Sequence, residues 1–315
     1  IIYREINCKS AINKIKNKFG SCNDLNIYRG CLHKCYYCYA VYSHKYINSR
    51  DFFNEIFVKK NIAEVLEKEL SSKSWKRETI NLGSVTDSYQ KAEEDYKIMP
   101  DILKLLIKYK TPMCISTKSD LILRDFELID KLSNIVPVRI ASTITTACEK
   151  LSSLIEPNVI SPLKRFETLK EFNKTKAIVG VHTIPVMPFI TEDGLENLFI
   201  KTKENNLDYI ICEVLNLKGK CRKIYLNFVR KNFPQHYKKY LYIYNNNGEL
   251  KEEYKNKIYK KIKFLEEKYN INYDSNNFDK VYIENETNLF NYNNENSFFK
   301  IWLILKIVVY LQQNF

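Results

Sequence analysis

Within "IYRGCLHKCYYCYA", Ile27 to Ala40, three cysteines, Cys31, Cys35 and Cys38, stand in eight residues with aromatic residues between and after them. At i, i+4 and i+7 they would share one helical face as a buried thiol stripe, but Gly30, His33 and Lys34 interrupt any apolar face there. A structural zinc site wants a fourth Cys or His at finger or ribbon spacing, and His33 lies too near to complete a comfortable tetrahedron. An electron-transfer ferredoxin supplies four cysteines, with a Cys-Pro closing its run. Three thiolates on a cubane [4Fe-4S] cluster leave one iron without a protein ligand, and an open iron is a place for chemistry. A zinc-binding structural protein is the competing reading.

Short β-branched apolar runs alternate along the chain with amphipathic ones. Strands are expected at Asn23 to Tyr28, Thr79 to Val85, Met113 to Thr117, Val136 to Ala141, Ala177 to Ile184 and Tyr209 to Leu215. Helices are expected at Lys60 to Leu70, Ile98 to Lys108, Asp125 to Leu132, Pro162 to Asn173 and Leu195 to Glu204, where apolar residues recur at three and four. A repeat of roughly thirty residues is the length of a βα unit and implies a parallel sheet with right-handed crossovers. Six such units without a Gly-rich dinucleotide loop predict an α/β fold, a partial (β/α)6 TIM-type barrel over residues 1–218. A helical C-terminal extension follows over 219–274, with helices at Lys220 to Asn232 and Glu249 to Tyr269. Residues 275–315 read as a weakly ordered Asn-rich linker and an apolar tail, "SFFKIWLILKIVVYLQQNF". That tail is shorter than a membrane span and carries Lys300 and Lys306, so no membrane partner is expected.

The strand ends concentrate polar groups. Cys31 follows the first strand, Thr86 and Asp87 the second, Thr117 and Lys118 the third, and Ser142 the fourth. In parallel barrels function collects where strands finish. Each of Thr86, Asp87 and Ser142 alone would serve as a helix N-cap; together they make a site.

Composition narrows the classes. A chain of 315 residues buries a large core, and its nine cysteines are too few and too uneven for a disulfide scaffold. Ile1 to Phe19 is charged throughout and lacks a signal-peptide core, so a cytoplasmic protein with reduced thiols is expected. The chain begins at Ile1 rather than Met, which points to residues upstream. The net charge of +13 is nearly all lysine, in a chain rich in Asn, Ile and Tyr. Arginine, the residue suited to bidentate phosphate and guanine contacts, is scarce, so a solvated basic surface explains the charge better than nucleic-acid binding does.

The cysteine spacing, with an aromatic before the third cysteine, resembles the signature of radical S-adenosylmethionine enzymes. Within that superfamily the chain resembles the spore photoproduct lyase-like family, on "NIYRGCLHKCYYCYA", "LGSVTDSYQKAE", "ISTKSDLILRD", "IEPNVISPLKRFETL" and "VHTIPVMP", which together cover Cys8 to Tyr269. The resemblance implies a [4Fe-4S] cluster on Cys31, Cys35 and Cys38, and S-adenosyl-L-methionine chelated to the open iron and cleaved reductively to a 5′-deoxyadenosyl radical. It implies Lys118 and Ser142 at the methionyl carboxylate, Thr86 and Asp87 at the amino group, and Tyr37 against the adenine. Glu156 and Arg165 match family positions and read as an ion pair bracing the mouth. His182, mid-strand, reads as a satisfied core histidine. Lys91 stands where the family motif usually has proline.

The family's repair enzymes use a cysteine just before a Thr-Ser-Asp run to quench the substrate radical, and Ser84 occupies that place here. Radical chemistry on an unassigned substrate is therefore the leading expectation. Spore photoproduct lyase-type DNA repair is one alternative, and a non-catalytic iron–sulfur nucleic-acid-binding protein the other. No second cluster motif and no flavin or nicotinamide loop is recognised, so an external flavodoxin or ferredoxin-type reductant is expected as partner. Replacing any one of Cys31, Cys35 or Cys38 by Ala should abolish iron binding after anaerobic reconstitution. Replacing Cys8, Cys22, Cys114, Cys148, Cys212 or Cys221 should leave iron content intact, and stoichiometric zinc in place of iron would contradict the reading.

Overall fold

The computed structural model describes residues 1–17, 20–47, 49 and 51–271; the linker and the apolar tail expected over 275–315 lie outside them. The strands are β1 (Ile2–Ile6), β2 (Ile12–Asn17), β3 (Gly20–Leu25), β4 (Tyr28–Arg29), β5 (Glu55–Lys59), β6 (Ile80–Leu82), β7 (Met113–Ser116), β8 (Val138–Thr143), β9 (Ile178–Val186) and β10 (Tyr209–Val214). The helices are α1 (Ile62–Leu70), α2 (Ala92–Tyr96), α3 (Met99–Lys108), α4 (Phe126–Ser133), α5 (Glu149–Ile155), α6 (Pro162–Phe172), α7 (Leu195–Glu204), α8 (Gly219–Asn232), α9 (Pro234–Ile243) and α10 (Glu252–Tyr269).

The main sheet runs β10-β9-β8-β7-β6-β3-β2. From β3 to β10 its strands are parallel and adjacent in chain order, and only β2 is antiparallel, paired with β3. Successive parallel strands added at one edge put the connecting helices on one side and curl the sheet, which is the partial (β/α)6 barrel. All six expected strands are present. A second sheet, β1-β5-β4, was not expected; β5 continues out of the loop that carries the cysteines. The sequence reading also missed the β2 pairing and helices α2, α5 and α9.

Strands β6, β7 and β8 set buried Ile80, Leu82, Met113, Ile115, Val138 and Ile140 into the core cluster. The C-terminal helices share that core, and tyrosines fix them: Tyr240 donates to Pro188 O at 2.6 Å, Tyr244 to Leu215 O at 2.8 Å and Tyr259 to Glu213 at 2.6 Å. Abundant tyrosine thus serves burial, because each ring fills core volume while its hydroxyl satisfies a carbonyl or carboxylate. Among the described residues no helix is long and apolar enough to cross a membrane.

On β9, a Cβ at Gly180 would lie 2.4 Å from the Tyr209 ring of β10. Gly180→Ala should therefore destabilise the protein by about 1–3 kcal/mol in denaturant unfolding, since Tyr209 has to leave its place; an unchanged midpoint would contradict this packing.

Candidate active site

The three cysteines sit in the segment that leaves β3 and line one cavity of about 210 Å³ at the carboxyl ends of the strands, together with Tyr37, Thr86, Asp87, Lys118 and His182. The loop is shaped locally and pinned from outside. Gly30 adopts φ +86°, and a Cβ there would meet Glu55 O at 2.6 Å, so β5 can pass directly behind the first cysteine only because residue 30 is glycine. Cys38 N donates to Cys35 O, closing a turn. Gln90 holds the loop with both ends of its amide, donating to Gly30 O at 3.0 Å and accepting from Leu32 N at 3.0 Å. Asn158 donates to Leu32 O at 2.7 Å.

Asp87 is the deepest link. Its Oδ1 accepts from Thr117 Oγ1 at 2.7 Å and Tyr89 N at 2.9 Å; its Oδ2 accepts from Lys118 N at 2.9 Å and meets His33 Nε2 at 3.0 Å. A carboxylate has about four good acceptor positions, and all are occupied by protein. Burial opposes its charge, but His33, the Lys118 N–H and the Thr117 hydroxyl hold the carboxyl well below the usual range. Thr86 is similarly engaged, donating to Gly30 O at 2.6 Å and accepting from Gln90 Nε2 at 2.9 Å. Ser142 is buried, its hydroxyl donating to Thr117 O at 2.6 Å. None of these three caps a helix. Their hydrogen bonds tie strand ends to one another.

Lys118 differs. Its Nζ makes no hydrogen bond or ion pair among the described residues and stands 5.9 Å from the Tyr37 ring centroid. Burial would lower its pKa, yet the neighbouring Cys35, Glu156 and Asp87 outweigh burial and keep the ammonium charged. Burial pushes all three thiols up, Cys31 to about 12, and Lys118 pulls each back toward the thiolate. Tyr37 is buried, its hydroxyl donating to Glu156. Glu156 meets Arg165 at 2.7 Å, and Arg165 also donates to Thr143 O at 2.6 Å and Ser152 Oγ at 2.8 Å. Burial raises the Glu156 carboxyl, and Arg165, Lys118 and Tyr37 together bring it below its ordinary value. The pair is a buried brace, as the sequence suggested.

The three sulfurs line one cavity, and among the described residues no three His, Cys, Asp or Glu side chains are placed to hold one metal ion.

The sequence model of the Radical SAM superfamily matches residues 25–200. An uncharacterised protein of Mycobacterium tuberculosis is 31% identical over 278 residues, 86% of this chain and 82% of that protein. The chain belongs to the radical SAM superfamily. It is an enzyme of that class. A second relative, an uncharacterised protein of the archaeon Methanocaldococcus jannaschii, is 31% identical over 234 residues, 74% of this chain and 84% of that protein. Among solved structures, a spore photoproduct lyase mutant with bound AdoMet and dinucleoside spore photoproduct superposes with a TM-score of 0.54 at 14% identity, over 73% of this chain and 66% of that chain. Over the matched part, this radical SAM enzyme shares the fold of spore photoproduct lyase.

That His33, Gln90 and Asn158 hold the cysteine loop was not read from the sequence, because their partners lie 54 or more residues away. His182, expected in the core, lines the cavity instead, with Tyr209 OH 3.4 Å from its Nε2. Burial, then Lys118 and Arg139, lower its pKa from 6.5 to about 4. The unfolded chain therefore takes up this proton first as pH falls, and the cluster-free protein should lose stability between pH 6.5 and about 4. His182→Gln should flatten the dependence of melting temperature on pH in that window; an unchanged slope would remove His182 from the account.

Proposed function

We propose that Cys31, Cys35 and Cys38 hold a [4Fe-4S] cluster and that Lys118 binds the carboxylate of S-adenosyl-L-methionine beside it. When bound, the pair supplies a 5′-deoxyadenosyl radical, which acts on a substrate other than the spore DNA lesion. The observation that carries this reading is one uncommitted ammonium group among three thiols in a single cavity. Lys118 offers a charged donor to an anion entering a place of low dielectric. The Tyr37 ring, locked by Glu156 and Arg165, is held rigid as one wall for the adenine. Thr86, Asp87 and Ser142 act in this reading by fixing the loop and the Lys118 backbone, since their polar atoms already have protein partners. An external flavodoxin or ferredoxin-type reductant, acidic against this basic surface, delivers the electron.

Ser84 supports a reaction other than spore photoproduct repair. It lines the cavity, and its hydroxyl accepts from Asn26 Nδ2 at 3.0 Å. An O–H bond is much stronger than a thiol S–H, so Ser84 cannot donate the hydrogen atom that quenches a substrate radical.

Lys118→Ala should keep its iron and its melting temperature but weaken S-adenosylmethionine binding at least about tenfold, because a buried carboxylate loses its charged partner; unchanged affinity would remove Lys118 from the site. Reduced enzyme given S-adenosylmethionine should form 5′-deoxyadenosine yet restore no thymidines from dinucleoside spore photoproduct by chromatography. Multiple turnovers in that assay would move the function to DNA repair.

A further inference from the structure

Below the mouth, the barrel lumen carries a layer that the fold alone does not require. Inward positions of parallel barrels are filled mainly by branched aliphatic side chains. Here Asp24 on β3 pairs in register with Asn81 on β6, Asn81 with Cys114 on β7, and Cys114 with Arg139 on β8. These four polar or ionisable residues form one row across four neighbouring strands, and all of them line the cavity that holds the three cysteines. The residues on either side of Asn81, Cys114 and Arg139 are buried apolar side chains of the core, as is Leu25 beside Asp24.

The row is incompletely satisfied at one end. Asn81 Nδ2 donates to Asp24 Oδ1 at 3.4 Å, and the Cys22 thiol approaches the same oxygen at 3.6 Å. Among the described residues Asp24 Oδ2 and Asn81 Oδ1 have no donor within hydrogen-bond distance, although the residues are only 2% and 7% exposed; the Ser84 hydroxyl lies close enough to Asp24 to favour its charged form. Ser116, two residues beyond Cys114 on β7, also lines the cavity with a partnerless hydroxyl. Buried acceptors without donors are a net cost to the fold. At the other end, Arg139 Nη1 donates to Cys114 Sγ at 3.7 Å.

We propose that this row is the substrate-recognition floor of the enzyme, and that Asp24 Oδ2 and Asn81 Oδ1 receive a ligand group that donates hydrogen bonds, an amine, amide or hydroxyl. The assignment rests on the reading of the mouth as the cofactor site, because a ligand held on this row then lies directly beneath it. Two acceptors on adjacent hydrogen-bonded strands suit an ammonium or an amide NH2. A carboxylate or phosphate placed against Asp24 Oδ2 and Asn81 Oδ1 would face two oxygen acceptors. Burial pushes the Asp24 carboxyl above its ordinary range, and a cationic donor there would favour its charged form.

The test uses the full chain and a matched set of probes: benzylamine, benzamide, benzyl alcohol, benzoate and toluene, followed by saturation-transfer NMR with and without reconstituted cluster. The three donor probes should bind at least about fivefold tighter than benzoate. Asp24→Asn, which keeps the shape and exchanges an acceptor for a donor, should weaken benzylamine at least about tenfold with an equal or higher melting temperature. The Asp24→Leu/Asn81→Leu double variant should abolish donor-probe binding and raise the melting temperature, whereas a merely structural pair would lower it. Benzoate or toluene binding as well as benzylamine, no probe binding to the unmutated protein, or unchanged benzylamine binding in Asp24→Asn would each overturn the proposal. Iron content and 5′-deoxyadenosine formation in the same samples report on the cofactor reading, so the two can fail separately.

Discussion

The candidate site depends on one buried carboxylate. Asp87 gathers His33 from the cysteine loop, Thr117 and the Lys118 amide from the end of β7, and Tyr89 from its own turn, with two contacts on each oxygen. A charge that is 5% exposed is tolerable only with every acceptor position filled, and its donors come from segments far apart in sequence. The loop that presents the thiols and the strand end that presents Lys118 are thereby made one rigid body. Removing one partner of such a buried set typically costs about 3–5 kcal/mol.

Other buried polar contacts extend the same logic. Gln90 clamps the loop backbone on both sides of Cys31, Asn158 holds Leu32 O, and the Tyr37–Glu156–Arg165 chain joins the loop to α6. Tyr36 stacks on Phe228 of α8 at 4.4 Å between centroids, so the C-terminal helices also support the loop. Positioning of this kind is what a radical enzyme needs from its protein, because the reactive chemistry belongs to the cofactor and the chain supplies orientation and electrostatics.

Much of this was legible in the sequence, for identifiable reasons. The cysteine spacing is local, and the six parallel strands announce themselves through apolar runs separated by helical periodicity. The polar residues at strand ends were found because barrel topology makes those ends converge. Their roles were harder to read: Asp87 and Thr86 have the residue types of ligand contacts, and only their partners in space show them committed to the protein. The β1-β5-β4 sheet was not legible because "IYREI" has mostly exposed side chains and pairs with a strand some fifty residues away. The lumen row was hidden inside runs read as uniformly apolar, where "INL" and "MCIS" alternate core and cavity positions.

The most direct test of the central claim is the rate at which anaerobically reconstituted Asp87→Asn loses iron to a chelator, compared with the unmutated protein. An amide at this position turns one acceptor oxygen into a donor facing donors, so the cysteine loop should loosen. The account predicts iron loss at least about tenfold faster, consistent with about 1.4 kcal/mol or more of lost support. Iron retained at the unmutated rate, with only S-adenosylmethionine binding impaired, would contradict it and return Asp87 to direct contact with the cofactor.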